Sequence, residues 1–314
     1  MRMKLIIDVD TGVDDAEAIM MAVTHPDVEV LAITCVSGNT NVDQAMMNTY
    51  RVLSMCNATQ VPMFRGSQFS LTGGGHDAAY FHGTDGMGDA PDAGPEPLTL
   101  PSPPTEHAAS AIVRLVNKFP GEVVLVALAP LTNIALALHL DQGLGSKLQR
   151  CVVMGGTLDA IGNTPQYPCA EFNFSCDPEA AALVLDKMKC MIQLATWKTC
   201  SECCIDWDVV DNLMAIDTYR GRFHSAFMKQ PIAKKRGRYS HFHSCDPCAM
   251  MTAIQPSSVL HSMEKYVTVE LHGKHTRGQT IIDWRDNSGK TPNVQILTGL
   301  DSAQLLNLLT AMVS

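Results

Sequence analysis

Four carboxylates stand within the N-terminal stretch KLIIDVDTGVDD: Asp8, Asp10, Asp14 and Asp15. They follow directly on an apolar run, where like charges repel and raise one another's pKa, so the cluster demands compensation. Helix capping accounts for Asp14 and Asp15, since carboxylates accept the free N–H groups of a first turn and favour its positive end. Asp8 and Asp10 are left unexplained. A divalent cation accounts for the whole set; a hard ion such as Ca²⁺ takes about six to eight oxygen ligands from carboxylates, carbonyls and water. An EF-hand is excluded by the missing ligand pattern after the glycine and by the strand context. A magnesium-dependent phosphoryl-transfer site with Asp8 or Asp10 as nucleophile is compatible with the acids alone.

A second polar group lies in EFNFSCDPEA, residues 171–180. Asp177 followed by Pro178 marks a capped helix start. It does not explain Glu171 and Asn173, two apart and just ahead of it. On an extended segment alternate residues share a face, so both are expected to enter one pocket. A carboxylate and an amide together suit hydroxyl groups, as a sugar presents them. Two further motifs complete the set, SGNT at 37–40 and HSCDPC at 243–248. The cysteines of CSECC (200–204) and CDPC (245–248) offer an alternative use, a four-sulfur zinc site.

The elements that must position these residues alternate. KLIIDVD leads to a helical DAEAIMMAVTH, VEVLAITCVSG to VDQAMMNTYRVLSMC, EVVLVALAP to LTNIALALHL, and RCVVMGG and CMIQLAT flank DPEAAALVLDKM. Continuous apolar runs indicate strands buried on both faces, as in a parallel sheet. The alternation indicates an α/β fold, a doubly wound, mostly parallel central sheet with flanking helices and loop insertions, here read as one domain over 1–314. Ligands of such sheets sit beyond the carboxyl ends of the strands, where all four motifs fall. The Gly- and Pro-rich segment 66–105 is expected to be a lid or binding loop. Strand-like runs in 266–300 and an amphipathic DSAQLLNLLTAMV close the chain.

With 314 residues, 46% hydrophobic and 18% charged, the composition is that of a globular protein. A net charge of −9 speaks against nucleic acid and for a cation or neutral small molecule as partner. The one basic run, AKKRGR at 233–238, is expected on a solvated face. No apolar run reaches membrane-spanning length and no signal peptide is evident, so a cytoplasmic protein is expected, its eleven scattered cysteines reduced.

Taken together, DVDTGVDD, GNT, APLTNIA, VVMGG, AEFNFSCDPEAA and CDPCAM, in this order, resemble the inosine-uridine preferring nucleoside hydrolase family. The resemblance runs from about residue 4 to 254. It implies a Ca²⁺-dependent N-ribohydrolase, splitting a nucleoside into ribose and free base, in a homodimer or homotetramer. By the same resemblance Asp10, Asp15, Asp246 and the backbone carbonyl of Leu128 hold the ion. Asp14, Asn39, Asn163, Glu171 and Asn173 bind ribose hydroxyls, Met154 lies beneath the sugar, and His82 sits on the lid near the departing base. Asp10 serves as base toward water; Asp8 is read either as supporting the ligands from behind or as purely structural.

One position departs from the family pattern. Many members carry a histidine before the last metal aspartate, where it protonates the leaving base; here Cys245 stands there. A free thiol, with a pKa of about 8.5, can donate a proton at neutral pH, though it hydrogen-bonds weakly. His82, His243, His224 and Arg222 are the candidate substitutes, and a base whose anion leaves easily would need none. Phe81, Phe223, Phe227 and His224 are candidates for stacking on the base. The rival readings are a nucleoside- or ribose-binding protein without turnover and a metal-dependent phosphohydrolase; neither EFN nor SGNT supplies positive charge for a phosphate.

Overall fold

A computed structural model describes residues 2–90, 100 and 104–314. Part of the expected lid, residues 91–99 and 101–103, lies outside the described residues.

Ten strands are present among these residues: β1 (Met3–Val9), β2 (Val28–Cys35), β3 (Met63–Arg65), β4 (Val123–Ala127), β5 (Arg150–Met154), β6 (Ile192–Ala195), β7 (Val259–Lys265), β8 (Val267–Val269), β9 (Thr280–Ile282) and β10 (Val294–Leu300). Eight of them form one sheet in the order β3-β2-β1-β4-β5-β6-β10-β7. Every pairing in it is parallel except β10 with the edge strand β7. The strand order reverses direction at β1 and β4, which puts the opening of a ligand crevice beside their carboxyl ends.

Side chains of β1 alternate between two cores. Leu5, Ile7 and Val9 pack on one face with Val124 and Val126 of β4, while Ile6 faces the other with Val123 and Leu125. Both faces are thus covered, which is why these strands read as unbroken apolar runs; each such side chain contributes roughly 1.5–3 kcal/mol by burial. The second core contains Ala108, Ile112 and Val184, from the helices Ala108–Lys118 and Pro178–Lys187. The first contains nearly the whole helix Val13–Thr24 together with much of Cys245–Ile254.

The C-terminal region departs in part from expectation. Of its strand-like runs, only Val294–Leu300 joins the main sheet; β8 and β9 make a separate antiparallel pair. Strand β7 went unread because its residues alternate irregularly between exposed and half-buried positions, as an edge strand allows. The segment after Glu171 is also not extended. Phe172–Cys176 forms a short helix whose N-cap is Glu171, its carboxylate accepting the N–H groups of Asn173 and Phe174.

Asp177 joins three parts of the second face. Its carboxylate accepts the Ala180 N–H at 3.0 Å, capping the helix Pro178–Lys187, and also the Leu71 N–H at 2.8 Å and the Thr132 hydroxyl at 2.7 Å. Asp177→Ala is expected to lower the unfolding free energy by about 2–4 kcal/mol, since it removes a cap and strands buried donors. Urea denaturation checks this, with Asp177→Asn recovering most of the loss.

Candidate active site

A cavity of about 570 Å³ opens beyond the carboxyl ends of β1, β4 and β5, within the range of small-molecule sites. Asp14 and Asp246 line its floor, while Asp10 and Asp15 are buried and do not themselves line it. Asp10 leaves β1 one residue after Val9, and Asp14 and Asp15 occupy the first turn of the helix Val13–Thr24. Gly12, the N-cap between them, has no room for a side chain: a Cβ there would meet the His82 ring and the Asn39 amide. Asp246 enters from the first turn of Cys245–Ile254.

Asn39 ties the acids together. Its backbone N–H donates to Asp10 Oδ2 at 2.7 Å, and its side-chain Nδ2 donates to Asp10 Oδ1 at 3.1 Å and Asp15 Oδ2 at 3.0 Å. Asp15 also accepts the Gly12 N–H at 2.9 Å. Ligand oxygens of Asp14, Asp15 and Asp246 converge within 4.8 Å of one another, and Asp14 Oδ1 has no hydrogen-bond partner. The four cysteines 200, 203, 245 and 248 do not converge in this way, so the zinc alternative finds no support.

Among the described residues, no ion pair reaches Asp10, Asp15 or Asp246. Burial, then mutual repulsion, pushes all three carboxyls upward, Asp15 to about 7. A donor set of buried oxygens with no cationic side chain to balance it fits a hard divalent ion. The Leu128 carbonyl borders the same cavity and accepts the Asn173 amide at 2.8 Å. Behind the cluster, Asp8 Oδ1 accepts the Thr34 hydroxyl and Asn133 Nδ2, at 2.5 and 2.9 Å. Asn133 in turn holds the Cys35 carbonyl and the Ser67 N–H, so Asp8 steadies the β1 and β2 ends rather than facing the cavity.

Asn39, Met154, Asn163, Glu171 and Asn173 all line the cavity, with Asp14. Glu171 accepts three backbone N–H groups, of Gly156, Asn173 and Phe174; even so, burial lifts its carboxyl to about 7. Asn163 Oδ1 is held by the Phe172 N–H at 2.8 Å. His82 also faces the cavity; its Nδ1 accepts the Val13 N–H at 3.1 Å, which puts its proton on Nε2. Burial outweighs the nearby Asp14 and takes the His82 pKa down to about 4, leaving a neutral imidazole.

Not every candidate reaches the cavity. Phe223, His224 and Phe227 are buried in the core, with His224 Nε2 bonded to Glu17 at 2.8 Å, and Arg222 pairs with Asp217 on the surface. Of the proposed stacking residues only Phe81 lines the wall. The cavity is completed instead by Tyr80, Trp197, Tyr239 and His243, with Lys235 and Arg238. Trp197 and Tyr239 both meet the His243 ring edge to face, at 5.5 and 4.7 Å. The basic run is therefore not simply a solvated face. Lys235 is buried over the Phe81 ring and donates to the His243 carbonyl; Lys234 holds the carbonyls of Tyr80 and Phe81. Trp197 carried a signal in the sequence, for it lies just past β6; Tyr239 carried none.

The sequence model of the inosine-uridine preferring nucleoside hydrolases matches residues 5–307. The chain belongs to this family. It is 32% identical over 317 aligned positions to the pyrimidine-specific ribonucleoside hydrolase RihA of Enterobacter sp. (strain 638), covering 98% of this chain and 97% of that one. A probable uridine nucleosidase 1 of Oryza sativa subsp. japonica is 42% identical over 58% of this chain and 55% of its own. Among solved structures, an inosine-guanosine nucleoside hydrolase superposes with a TM-score of 0.91 at 38% identity, covering 100% and 99% of the two chains. A plant nucleoside hydrolase, PpNRh1, gives 0.90 at 28%, covering both chains fully. This nucleoside hydrolase is accordingly a nucleoside N-ribohydrolase, with an acidic, possible metal site on the strand-end floor of its cavity. No helix among its described residues is long and apolar enough to cross a membrane.

Proposed function

We propose that this nucleoside hydrolase is Ca²⁺-dependent and that Asp10, Asp15, Asp246 and the Leu128 carbonyl hold the ion, with Asp14 at its margin. The observation that carries this is the set of buried carboxylates that, among the described residues, have no ion-pair partner. When bound, calcium would make a water easier to deprotonate and would draw in the sugar's vicinal hydroxyls. The chain's own residues do the rest. Asp10, fixed through both oxygens by Asn39, takes the proton from the attacking water. Asp14, Asn39, Asn163, Glu171 and Asn173 bind the ribose hydroxyls, and Met154 packs beneath the ring. As the N-glycosidic bond stretches, positive charge grows on the ribose, and the surrounding carboxylates stabilise it without having to reorganise.

The base occupies the aromatic end of the cavity, between Phe81, Trp197, Tyr239 and His243. His82 and His243 are both neutral at pH 7, the latter's pKa lowered to about 3 by burial and by Lys235. Neither stores a proton as imidazolium; Cys245, on the same wall, stands at the position of the family's proton-donating histidine and is assigned as the donor to the base. Cys245→Ala is expected to slow nucleosides with poor leaving groups by about tenfold more than activated aryl ribosides, whose anions leave unaided. Equal losses on both would remove Cys245 from that role.

The relatives' names divide between pyrimidine and purine nucleosides. The test is therefore a panel of uridine, cytidine, inosine and guanosine, assayed for reducing sugar with added calcium and with chelator. Calcium-restored release of ribose supports the reading, and undiminished release in chelator contradicts it. Residues 1–314 are read as one domain, since both cores run along the same eight-stranded sheet.

A further inference from the structure

Two C-x-x-C pairs, Cys200 with Cys203 and Cys245 with Cys248, are brought together behind the cavity wall. The helix Trp197–Glu202 lies against the start of Cys245–Ile254. Cys200 Sγ is 3.6 Å from the Cys245 carbonyl, while Cys248 Sγ turns back to the Ser244 carbonyl at 3.1 Å. All four are buried and free, but only Cys245 also lines the cavity; Cys200 is wholly enclosed behind it.

Packing alone explains buried thiols as small apolar groups. It does not call for an enclosed thiol seated against the backbone of a second cysteine that itself opens onto a water-accessible cavity. That arrangement has the parts of a peroxide-sensing pair: an accessible sulfur and, on the protected side, a neighbouring thiol to resolve it.

We infer that a small peroxide entering the cavity oxidises Cys245, and that Cys200 closes on it to form a reversible disulfide that shuts the enzyme down. In the first step the Cys245 thiol attacks a peroxide oxygen. The O–O bond breaks, one water leaves and a sulfenic acid remains. In the second, the Cys200 thiol attacks the Cys245 sulfur, the S–S bond forms and the sulfenic oxygen departs as a second water. Two electrons pass from the thiol pair to hydrogen peroxide, and an added dithiol returns them by exchange through a mixed disulfide. The Cys245 sulfur is thereby drawn toward Cys200 and loses its hydrogen, beside Asp246 on the same first turn. None of this requires the thiol to protonate the base; only its place on the wall matters.

The test treats the full chain with hydrogen peroxide and follows ribose release from whichever panel nucleoside it turns over. Turnover is expected to fall at least about tenfold and to return with dithiothreitol. Mass spectrometry of the alkylated, digested protein should show a linked peptide pair carrying Cys200 and Cys245. Cys200→Ser should keep its activity in reductant, and after peroxide should fail to recover, its Cys245 passing on to the sulfinic acid. Reversible inactivation of Cys200→Ser equal to that of the unaltered chain would overturn the inference. So would peptide maps of the unaltered, inactivated chain without the Cys200–Cys245 link, a readout that does not depend on the variant folding. An equal loss in the aryl riboside comparison would remove the proton-donor role and leave this linkage untouched.

Discussion

Asp10→Ala is expected to lower kcat by at least about a thousandfold and to abolish calcium binding in the same protein. Asp10 is fully buried, its carboxylate held through both oxygens by Asn39 and its N–H given to Asp15, one of the three acids whose oxygens converge. On the proposed mechanism, removing its carboxylate takes away both a ligand and the base, whereas Glu171 and Asn173, proposed to bind ribose, keep their own partners. The fold should survive. Burial and repulsion already disfavour the ionised Asp10, so deleting one of several crowded anions relieves strain in the metal-free protein. The expected result is thus a protein with an unchanged or slightly raised melting temperature in chelator, no calcium heat in titration calorimetry, and turnover at background. Full activity in metal-free Asp10→Ala would refute both the base and the ligand roles. Loss of activity with calcium affinity intact would confine Asp10 to the proton.

Why the acids could be found without coordinates, while the aromatic wall could not, follows from where each lies. A parallel sheet sends its chemistry to the strand ends, and Asp10, Asn39, Leu128 and Met154 each sit within a few residues of one, so unbroken apolar runs in the sequence point at them directly. Glu171 and Asn173 were legible as a polar pair, though for a different geometric reason from the one expected. They share the cavity because Glu171 caps a short helix over its own N–H groups, not because the segment is extended. The base end is assembled otherwise. Tyr239 and His243 follow a helix that crosses from elsewhere, and Lys235 lies on a charged run whose natural reading is solvent. Its ammonium is buried because the His243 carbonyl and two aromatic faces replace water. Phe223 and Phe227 share that helix and turn inward; which face of it meets the cavity depends on packing against Val13–Thr24, a tertiary fact with no local signature. The separate β8–β9 pair escaped for the same reason, since a strand-like run does not announce which sheet it will join.

With calcium as the proposed ion, its removal should make stability depend on pH in a way the loaded enzyme does not share. In the metal-free protein the Asp15 carboxyl titrates near 7, and those of Asp10 and Asp246 are also raised. Between the ordinary aspartate range and these values the folded chain holds more protons than the unfolded one, so these groups make stability fall as pH rises. His82 and His243 act oppositely. With pKa values lowered to about 4 and 3, they bind fewer protons folded than unfolded, and their contribution rises with pH until about 6.5. The two effects compete below that point; above it the histidines drop out, and the several raised carboxylates are opposed by one group, the Cys248 thiol, which hydrogen bonds from Cys200 and Cys203 lower to about 5. In chelator the melting temperature is therefore expected to decline from about pH 6.5 to 8. Calcium at a hundredfold excess over its Kd should add about 2.7 kcal/mol at pH 8, roughly 5 °C for a chain of this size. At pH 5, where protons occupy the same oxygens, the gain should be much smaller. Asp8 and Glu171, each raised to about 7 by burial outside the ligand set, should leave a residual decline that calcium does not cancel. Scanning calorimetry across this range, with and without calcium, measures both slopes. A calcium shift equal at pH 5 and pH 8 would mean that the ion does not bind through these carboxylates, and the mechanism built on Asp10, Asp15 and Asp246 would fall with it.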